Sequence, residues 1–313
     1  MKMTKVAILG RTRWLIDAAD RLANAGFQIV CVATAKAEAY YNCGPDSFRE
    51  LARRHGADYL GIVSLSRDDV RARIAAADAE IAVSVNWPTR LNSRTISLFP
   101  LGIVNAHCGD LPRYRGNACP NWAILNGEER IGLCAHLMDA EEIDSGPVIA
   151  RDFLPADGQT YIGDVYRWLD IRIPSLLEEA VRGLVSGNLQ PVPQSTDPKL
   201  SLRCYPRRPE DSRIDWRQSA EQIHRLVRAS SRPFQGAFAF LESGERVTIW
   251  RAEPSADLGP FCAIPGQVMF VDRGEPVIAC GQGALRLQDV EIAHLSPDDA
   301  KAAIGRSLRA RLQ

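Results

Sequence analysis

Residues 6 to 34, VAILGRTRWLIDAADRLANAGFQIVCVAT, place two apolar runs on either side of a segment of helix length. The runs VAILG and FQIVCVAT lack the polar and apolar alternation of a strand that has one face in water. Strands that are apolar on both faces and separated by a helix are typical of a βαβ unit in a parallel sheet. The stretch therefore predicts that the chain begins with an α/β domain.

The same alternation continues to about residue 107. The helix-like stretches SFRELARRHG and RDDVRARIAAA alternate with the strand-like runs DYLGIV, EIAVSVN and GIVNAH. We therefore predict a Rossmann-like, largely parallel sheet whose ligand site lies at the carboxyl ends of the strands. The loop after the first strand holds Gly10 alone instead of a GxGxxG set, so it is interpreted as a plain strand-to-helix turn.

The second half of the chain has a different pattern. A long amphipathic segment that starts at Tyr161 is predicted to be helical with an interruption at Pro174. A stretch rich in Pro and Ser follows, and then one helix-like segment and five strand-like runs. We predict a catalytic domain over residues 1–190, a connector over 191–206 and a small β-rich domain over 207–313.

Charge and composition exclude several classes of protein. The 313 residues include 38 Lys and Arg against 38 Asp and Glu, a balance that disfavours an electrostatic clamp on nucleic acid. The apolar run near the start is too short for a signal peptide, and no run approaches the roughly 20 residues that cross a bilayer. We therefore predict a cytoplasmic protein without a membrane partner.

The eight cysteines form no CxxC pair or zinc-like grouping, so no metal is predicted.

The stretch NAHCGDLPRYRGNACPNW, residues 105 to 122, carries the candidate chemistry. Asn105 and His107 lie two apart on the predicted strand and project from the same face. Cys108 projects from the other face, which argues against a His–Cys nucleophilic pair. A capping Asn and a hydrogen-bonded core His are the structural alternative. Asp144 in EEIDSGPVI is by default a turn former, but beside His107 it would orient the ring and favour its protonated form.

Taken in order and spacing, the segments NAH, LPRYRG, NWAILNGE, IGLCAH and IDSGPVI resemble the formyltransferase family that uses 10-formyltetrahydrofolate. The segments GERVTIWRAE and IPGQVMFVD are similar to the β-barrel-like C-terminal domain of that family. The resemblance implies an N-formyltransferase that moves a formyl group from 10-formyltetrahydrofolate to a primary amine without a metal.

The resemblance also implies roles for individual residues. Asn105 would donate a hydrogen bond to the formyl oxygen, His107 would take the proton of the attacking amine, and Asp144 would hold His107 and balance its charge. Folate contacts are expected from Asn86, Trp87, Pro88, Leu91, Asp139 and Ile143. Substrate contacts are expected from Arg113, Tyr114, Arg115, Trp122 and His136.

One difference between this chain and the family motif predicts the kind of amine that accepts the formyl group. HCGDLP has Gly109 and Asp110 where the family has Ser and Leu, which resembles amino-sugar formyltransferases more than initiator-tRNA formyltransferases. Together with the balanced charge, this difference predicts that the substrate is a nucleotide-linked amino sugar of O-antigen or polysaccharide biosynthesis. We predict no nucleic-acid partner, and a homodimer is left open. Methionyl-tRNA is the alternative acceptor. A silent binding module and a hydrolase that releases formate are the other hypotheses.

Overall fold

A computed structural model describes residues 3–38, 41–61, 64–256 and 258–313. They form two compact units. The first comprises the residues up to 119 together with 131–154 and 166–204, and the second comprises 120–130, 155–165 and 205–313. The domain boundaries drawn from the sequence at residues 190 and 207 stay a prediction.

The secondary structure follows in chain order. The strands are β1 Lys5–Gly10, β2 Gln28–Thr34, β3 Asp58–Gly61, β4 Ile81–Val85, β5 Ile103–His107, β6 Arg115–Gly116, β7 Arg130–Leu137, β8 Val148–Pro155, β9 Arg203–Cys204, β10 Ala237–Phe240, β11 Arg246–Pro254, β12 Val268–Asp272, β13 Glu275–Ala279 and β14 Ala284–Ile292. The helices are α1 Arg13–Asn24, α2 Pro45–His55, α3 Asp68–Ala76, α4 Ser93–Ile96, α5 Cys119–Asn126, α6 Ile162–Ser186, α7 Ala220–Ser230 and α8 Pro297–Gly305.

The first unit is built on a seven-stranded sheet in the order β3-β2-β1-β4-β5-β7-β8. The pairs from β3 to β5 are parallel, and β7 then pairs with β5 in the antiparallel sense. The predicted Rossmann-like, largely parallel sheet is confirmed. Within the predicted strand DYLGIV, residues 62 and 63 lie outside the described part of the chain.

Gly10 is required by the sheet itself. A Cβ atom at this position would lie 2.3 Å from the carbonyl oxygen of Val85 on β4. The lone glycine thus lets β1 and β4 approach closely where β1 ends. This packing role agrees with the interpretation of the loop as a plain turn.

Helix α6 runs from Ile162 to Ser186 without the interruption that Pro174 predicted, so that prediction was wrong. A proline inside a helix costs about 3 kcal/mol, because it removes one backbone hydrogen bond and crowds the preceding turn. Leu169 and Ile173 before the proline, and Leu176 and Leu177 after it, are all buried. Burial of each contributes about 1.5–3 kcal/mol, which outweighs the cost of the proline.

The second unit contains a five-stranded antiparallel sheet in the order β10-β11-β14-β13-β12. Helix α7 begins with a capping box in which Ser219 and Gln222 satisfy each other's backbone N–H groups. Its buried residues Ile223 and Val227 belong to the core of this unit. The predicted β-rich C-terminal domain is confirmed, whereas α8 was not predicted.

The helices of the described ranges include none with both the length and the apolar character needed to cross a membrane.

Candidate active site

Three side chains of the candidate site lie on two neighbouring strands. Asn105 and His107 are on β5, and the antiparallel register of β5 with β7 places His136 opposite Asn105. All three are nearly buried, with exposed fractions of 7%, 7% and 1%. The period of two residues along a strand therefore brings Asn105 and His107 together on one face, as predicted.

Asp144 reaches the same place from the turn that follows β7. Its backbone is in the left-handed region, with a φ of 59°. Gly146 lies against β7 so closely that a Cβ atom there would be 1.9 Å from the carbonyl oxygen of Leu137. Only glycine fits this contact, and the contact fixes where the Asp-Ser-Gly turn sits.

The ring of His107 has an oxygen atom at each nitrogen. Nε2 lies 2.6 Å from the carbonyl oxygen of Tyr114, and Nδ1 lies 3.5 Å from Oδ2 of Asp144. A neutral imidazole has one N–H and can donate to one oxygen, whereas the protonated ring has an N–H on each nitrogen and carries a positive charge beside the Asp144 carboxylate. The shorter contact assigns the N–H of the neutral ring to Nε2. The surroundings are therefore complementary to a ring that has accepted a second proton.

Burial and charge act in opposite directions on His107. Burial lowers the pKa of His107 below its usual range, and the attraction of Asp144 opposes this without cancelling it. The ring is therefore neutral at pH 7 and able to accept a proton. Burial acts on Asp144 in the other direction, but attraction to the protonated forms of the neighbouring histidines and the N–H of Gly116 hold the pKa of Asp144 below its usual range. Gly116 donates to Oδ2 of Asp144 over 2.9 Å, so the carboxylate stays ionised beside a neutral ring.

His136 fixes the orientation of Asn105. Nδ1 of His136 lies 2.8 Å from the carbonyl oxygen of Leu137, so this nitrogen carries the proton. Nε2 is then an acceptor and takes a hydrogen bond from the amide nitrogen of Asn105 at 3.1 Å. Oδ1 of Asp144 lies 3.6 Å from the same Nε2, which is too far for a hydrogen bond. The amide nitrogen of Asn105 keeps a second N–H that can donate to a substrate oxygen.

Gly109 explains the departure from the family motif. A Cβ atom at residue 109 would lie 2.4 Å from the carbonyl oxygen of Tyr114 and 2.7 Å from Nε2 of His107. A serine therefore cannot occupy this position unless the loop moves. In this chain the carbonyl of Tyr114 occupies the space beside His107 that a side chain at 109 would need.

Cys119, which was not singled out from the sequence, has a thiol that contacts the ring of His107. Sγ of Cys119 lies 3.7 Å from Nε2 of His107. Burial raises the pKa of the Cys108 thiol to about 12, consistent with the packing role predicted for it. The pKa of Cys119 is also raised, first by its hydrogen bond with Cys204 and then by burial. Neither Cys108 nor Cys119 is a thiolate at neutral pH.

The residues predicted to bind folate lie on two neighbouring loops. The guanidinium of Arg90 donates to the carbonyl oxygens of Ala140 and Glu141, which joins the loop after β4 to the loop after β7. Leu91 is buried in the core beneath the first loop, and Trp87 packs against that core. The other predicted folate residues are more accessible, namely Asn86, Pro88, Asp139 and Ile143.

The residues predicted to bind the substrate are spread more widely. Arg113 is exposed, with its guanidinium 5.3 Å from the centre of the Tyr114 ring. Arg115 is buried and donates to Gln194 and Glu142. Trp122 belongs to the second unit, where its indole N–H donates to the carbonyl oxygen of Tyr205. The predicted contacts of these side chains and of His136 with a substrate stay predictions.

Within the ranges that the structure describes, no group of three or more His, Cys, Asp or Glu side chains is arranged to hold a metal ion.

Solved structures share this fold. WlaRD, a sugar 3N-formyl transferase crystallised with dTDP and 5-N-formyl-THF, superposes with a TM-score of 0.67 at 16% identity and covers 95% of this chain and 100% of its own. The N-formyltransferase from Helicobacter canadensis, in complex with folinic acid and dTDP-3-aminofucose, gives a TM-score of 0.64 at 15% identity, with 91% and 99% covered. At these identities the likeness concerns the fold alone.

The sequence matches at family level along most of its length. The methionyl-tRNA formyltransferase of Dechloromonas aromatica (strain RCB) is 30% identical over 294 residues, which cover 92% of this chain and 91% of that protein. The family model described as formyl transferase matches residues 4–179, and the model of the formyl transferase C-terminal domain matches residues 207–306. The chain therefore belongs to the formyl transferase family and is an N-formyltransferase.

Proposed function

We propose that this enzyme transfers the formyl group of 10-formyltetrahydrofolate to a primary amine, with Asn105, His107 and Asp144 as its catalytic residues. The observation that carries this proposal is the position of His107 between the Tyr114 carbonyl and the Asp144 carboxylate. An amine attacks through its lone pair and must lose a proton as the new carbon–nitrogen bond forms. A neutral His107 accepts that proton at Nδ1, and both oxygen atoms then stabilise the charged ring. The bond between the formyl carbon and N10 of the folate then breaks, and N10 takes up the proton from His107, so tetrahydrofolate leaves as a neutral amine and the ring is neutral again.

Asn105 has the complementary role. Attack on the formyl carbon places negative charge on the formyl oxygen, and a fixed N–H donor lowers the energy of that state. The hydrogen bond from Asn105 to His136 supports this role, because it holds the amide in one orientation before the substrate arrives. The amide of Asn105 therefore needs little reorientation when negative charge develops on the formyl oxygen.

The loops joined by Arg90 are the proposed site for the folate. The pterin of a folate has faces that can pack on apolar side chains and an edge of nitrogen and oxygen atoms that form hydrogen bonds. The partly exposed indole of Trp87 and the exposed side chain of Ile143 offer apolar surface, and the backbone of both loops offers polar groups. WlaRD, which shares this fold, was crystallised in the presence of a formyl-tetrahydrofolate.

Methionyl-tRNA is the acceptor that we propose first. The relative from Dechloromonas aromatica bears that activity in its name, and its similarity extends along nearly the whole chain. The second unit also carries exposed arginines on aromatic rings. The Arg246 guanidinium lies 4.0 Å from the centre of the Phe238 ring, and that of Arg213 lies 5.4 Å from the Phe240 ring. Exposed arginines beside aromatic rings are suited to stacking on bases and pairing with phosphates.

A nucleotide-linked amino sugar is the second candidate. The observation that favours it is charge, since the whole chain is neutral and residues 207–313 are nearly balanced, with 15 Lys and Arg against 14 Asp and Glu. A domain that grips RNA usually carries a basic excess. A small sugar nucleotide needs only a few local contacts.

The test is a formyl-transfer assay with 10-formyltetrahydrofolate, offered methionyl-tRNA, a panel of nucleotide-linked amino sugars, or no acceptor. The product is detected as a mass gain of one formyl group, and formate is measured in parallel. Formylated methionyl-tRNA, with a rate that falls steeply as salt rises, is the expected result. Formylation of a sugar alone would replace methionyl-tRNA with the second candidate. Formate without any formylated amine would refute the transferase proposal.

A further inference from the structure

The side chain of Gln194 connects two parts of the site. Its Nε2 lies 2.7 Å from the carbonyl oxygens of both Asp144 and Gly146 and donates to each. Its Oε1 accepts from Nη2 of Arg115 at 2.8 Å and from Nε of Arg115 at 3.2 Å. A carboxamide has two N–H donors and one carbonyl acceptor, so every polar group of Gln194 is engaged.

The turn that holds Asp144 needs such support. The left-handed backbone of a non-glycine residue costs about 1–2 kcal/mol. A conformation of this kind persists where surrounding contacts determine it. Gln194 binds the carbonyl of Asp144 itself and the carbonyl two residues further on. Fixing these two carbonyls fixes the direction in which the Asp144 carboxylate leaves the turn.

Arg115 holds Gln194 from the other side. Its backbone N–H donates to the carbonyl of Leu202, in the short pairing of β6 with β9. Its guanidinium is buried, and Nη1 donates to Oε2 of Glu142 at 3.1 Å while Nε and Nη2 face Gln194. The guanidinium of Arg115 therefore contacts the Asp144 turn in two ways. It binds Glu142 directly, and it binds Gln194, which in turn binds the carbonyl of Asp144.

We propose that Gln194 is a positioning residue that holds the Asp144 carboxylate against His107, and that Arg115 orients Gln194 for this task. The inference rests on the proposed function in that it takes Asp144 as the partner of His107. Arg115 is then a structural support of the catalytic turn, in place of the substrate contact expected from the sequence.

The experiment is a double-mutant cycle between Gln194 and Asp144. Gln194→Met keeps the size of the side chain and removes its donors, and Gln190→Ala, an exposed glutamine of the same segment, is the matched control. We expect Gln194→Met to lower kcat on the order of tenfold or more, with little change in the KM of the acceptor. Gln190→Ala should leave kcat unchanged. In an Asp144→Asn background, Gln194→Met should have almost no further effect, because the carboxylate it positions is gone.

Two further measurements separate positioning from general stability. Gln194→Glu keeps an acceptor for Arg115 but faces the two carbonyls with oxygen, so it should lose activity as Gln194→Met does. In Gln194→Met the acidic limb of the pH profile of kcat/KM should move to lower pH, since the Asp144 carboxylate is no longer held where it favours the protonated form of His107.

The outcomes are distinct. A wild-type kcat in Gln194→Met or Gln194→Glu would overturn the inference, as would an equal loss in the wild-type and Asp144→Asn backgrounds. If Asp144→Asn itself keeps the wild-type rate, the proposed role of Asp144 fails, whatever Gln194 does. A loss in Gln194→Met that is absent in the Asp144→Asn background supports the inference.

Discussion

Replacement of Asp144 by asparagine tests the electrostatic part of the mechanism. The change keeps the size of the side chain and removes its charge. Oδ2 of Asp144 lies 3.5 Å from Nδ1 of His107, and the carboxylate is 11% exposed. Two unit charges at this separation attract each other by about 5 kcal/mol at an effective dielectric constant of about 20. This is the stabilisation that the protonated ring loses.

Each 1.36 kcal/mol of lost transition-state stabilisation lowers the rate about tenfold. Loss of the whole attraction would therefore lower the rate by about several thousand-fold. A carboxamide keeps part of the dipole, so we expect kcat of Asp144→Asn to fall between about 100-fold and 1,000-fold. The loss should appear in kcat more than in KM, because the charge on His107 exists only once the amine has given up its proton.

The assay is formyl transfer under saturating donor and acceptor, with single-turnover rates to isolate the chemical step. Asp69→Asn, which removes an exposed carboxylate at the start of α3, is the control for loss of charge. A kcat of Asp144→Asn within tenfold of the wild-type value would refute the reasoning. So would an equal loss in Asp69→Asn, since the effect would then come from overall charge.

Four other changes have expected outcomes. Asn105→Ala should lower kcat on the order of 100-fold, by loss of an oxyanion donor, and a change below tenfold would assign that role to another group. His107→Ala should reduce turnover strongly while folate affinity, measured by titration, stays near the wild-type value. Gly109→Ser should slow transfer, because its Cβ displaces the Tyr114 carbonyl from His107; an unchanged rate would contradict that steric argument. Burial and the charge of Arg228 lower the pKa of His224 to about 4, so stability present above pH 6.5 should be lost as the pH falls from 6.5 towards 4. The loss should be about 3 kcal/mol in urea unfolding, and His224→Gln should flatten this dependence.

The sequence predicts the first sheet well because burial on both faces leaves a clear pattern. The runs that became β1, β2, β4 and β5 are mainly apolar on both faces, and most of their residues are buried. Their short length and the helix-length segments between them favour strands. It was wrong about Pro174, because tertiary packing of α6 outweighs a local penalty. It missed α8, although Ser296 as the cap, Pro297 and two aspartates in the first turn are a recognisable start of a helix.

The candidate site was predictable only where a local rule applies. The period of a strand was enough to bring Asn105 and His107 to one face. The contact of His107 with Asp144 depends on a left-handed turn and on the close approach of Gly146 to β7, which no local pattern encodes. Gln194 is 50 residues from Asp144 in the chain, within a segment rich in Pro and Ser that resembles an ordinary connector. Its role depends on side-chain contacts that only the folded structure reveals.

The pairing of β5 on both sides has a consequence for how such enzymes change. Asn105 and His107 stand on a strand that is hydrogen-bonded to β4 on one edge and to β7 on the other. Loops and the second unit can accumulate substitutions, insertions and new charges while this strand keeps its place. Selection for a new acceptor can therefore leave Asn105 and His107 in place. One mechanism can pass from a small amine to a macromolecular one through changes at the periphery of the same inherited framework.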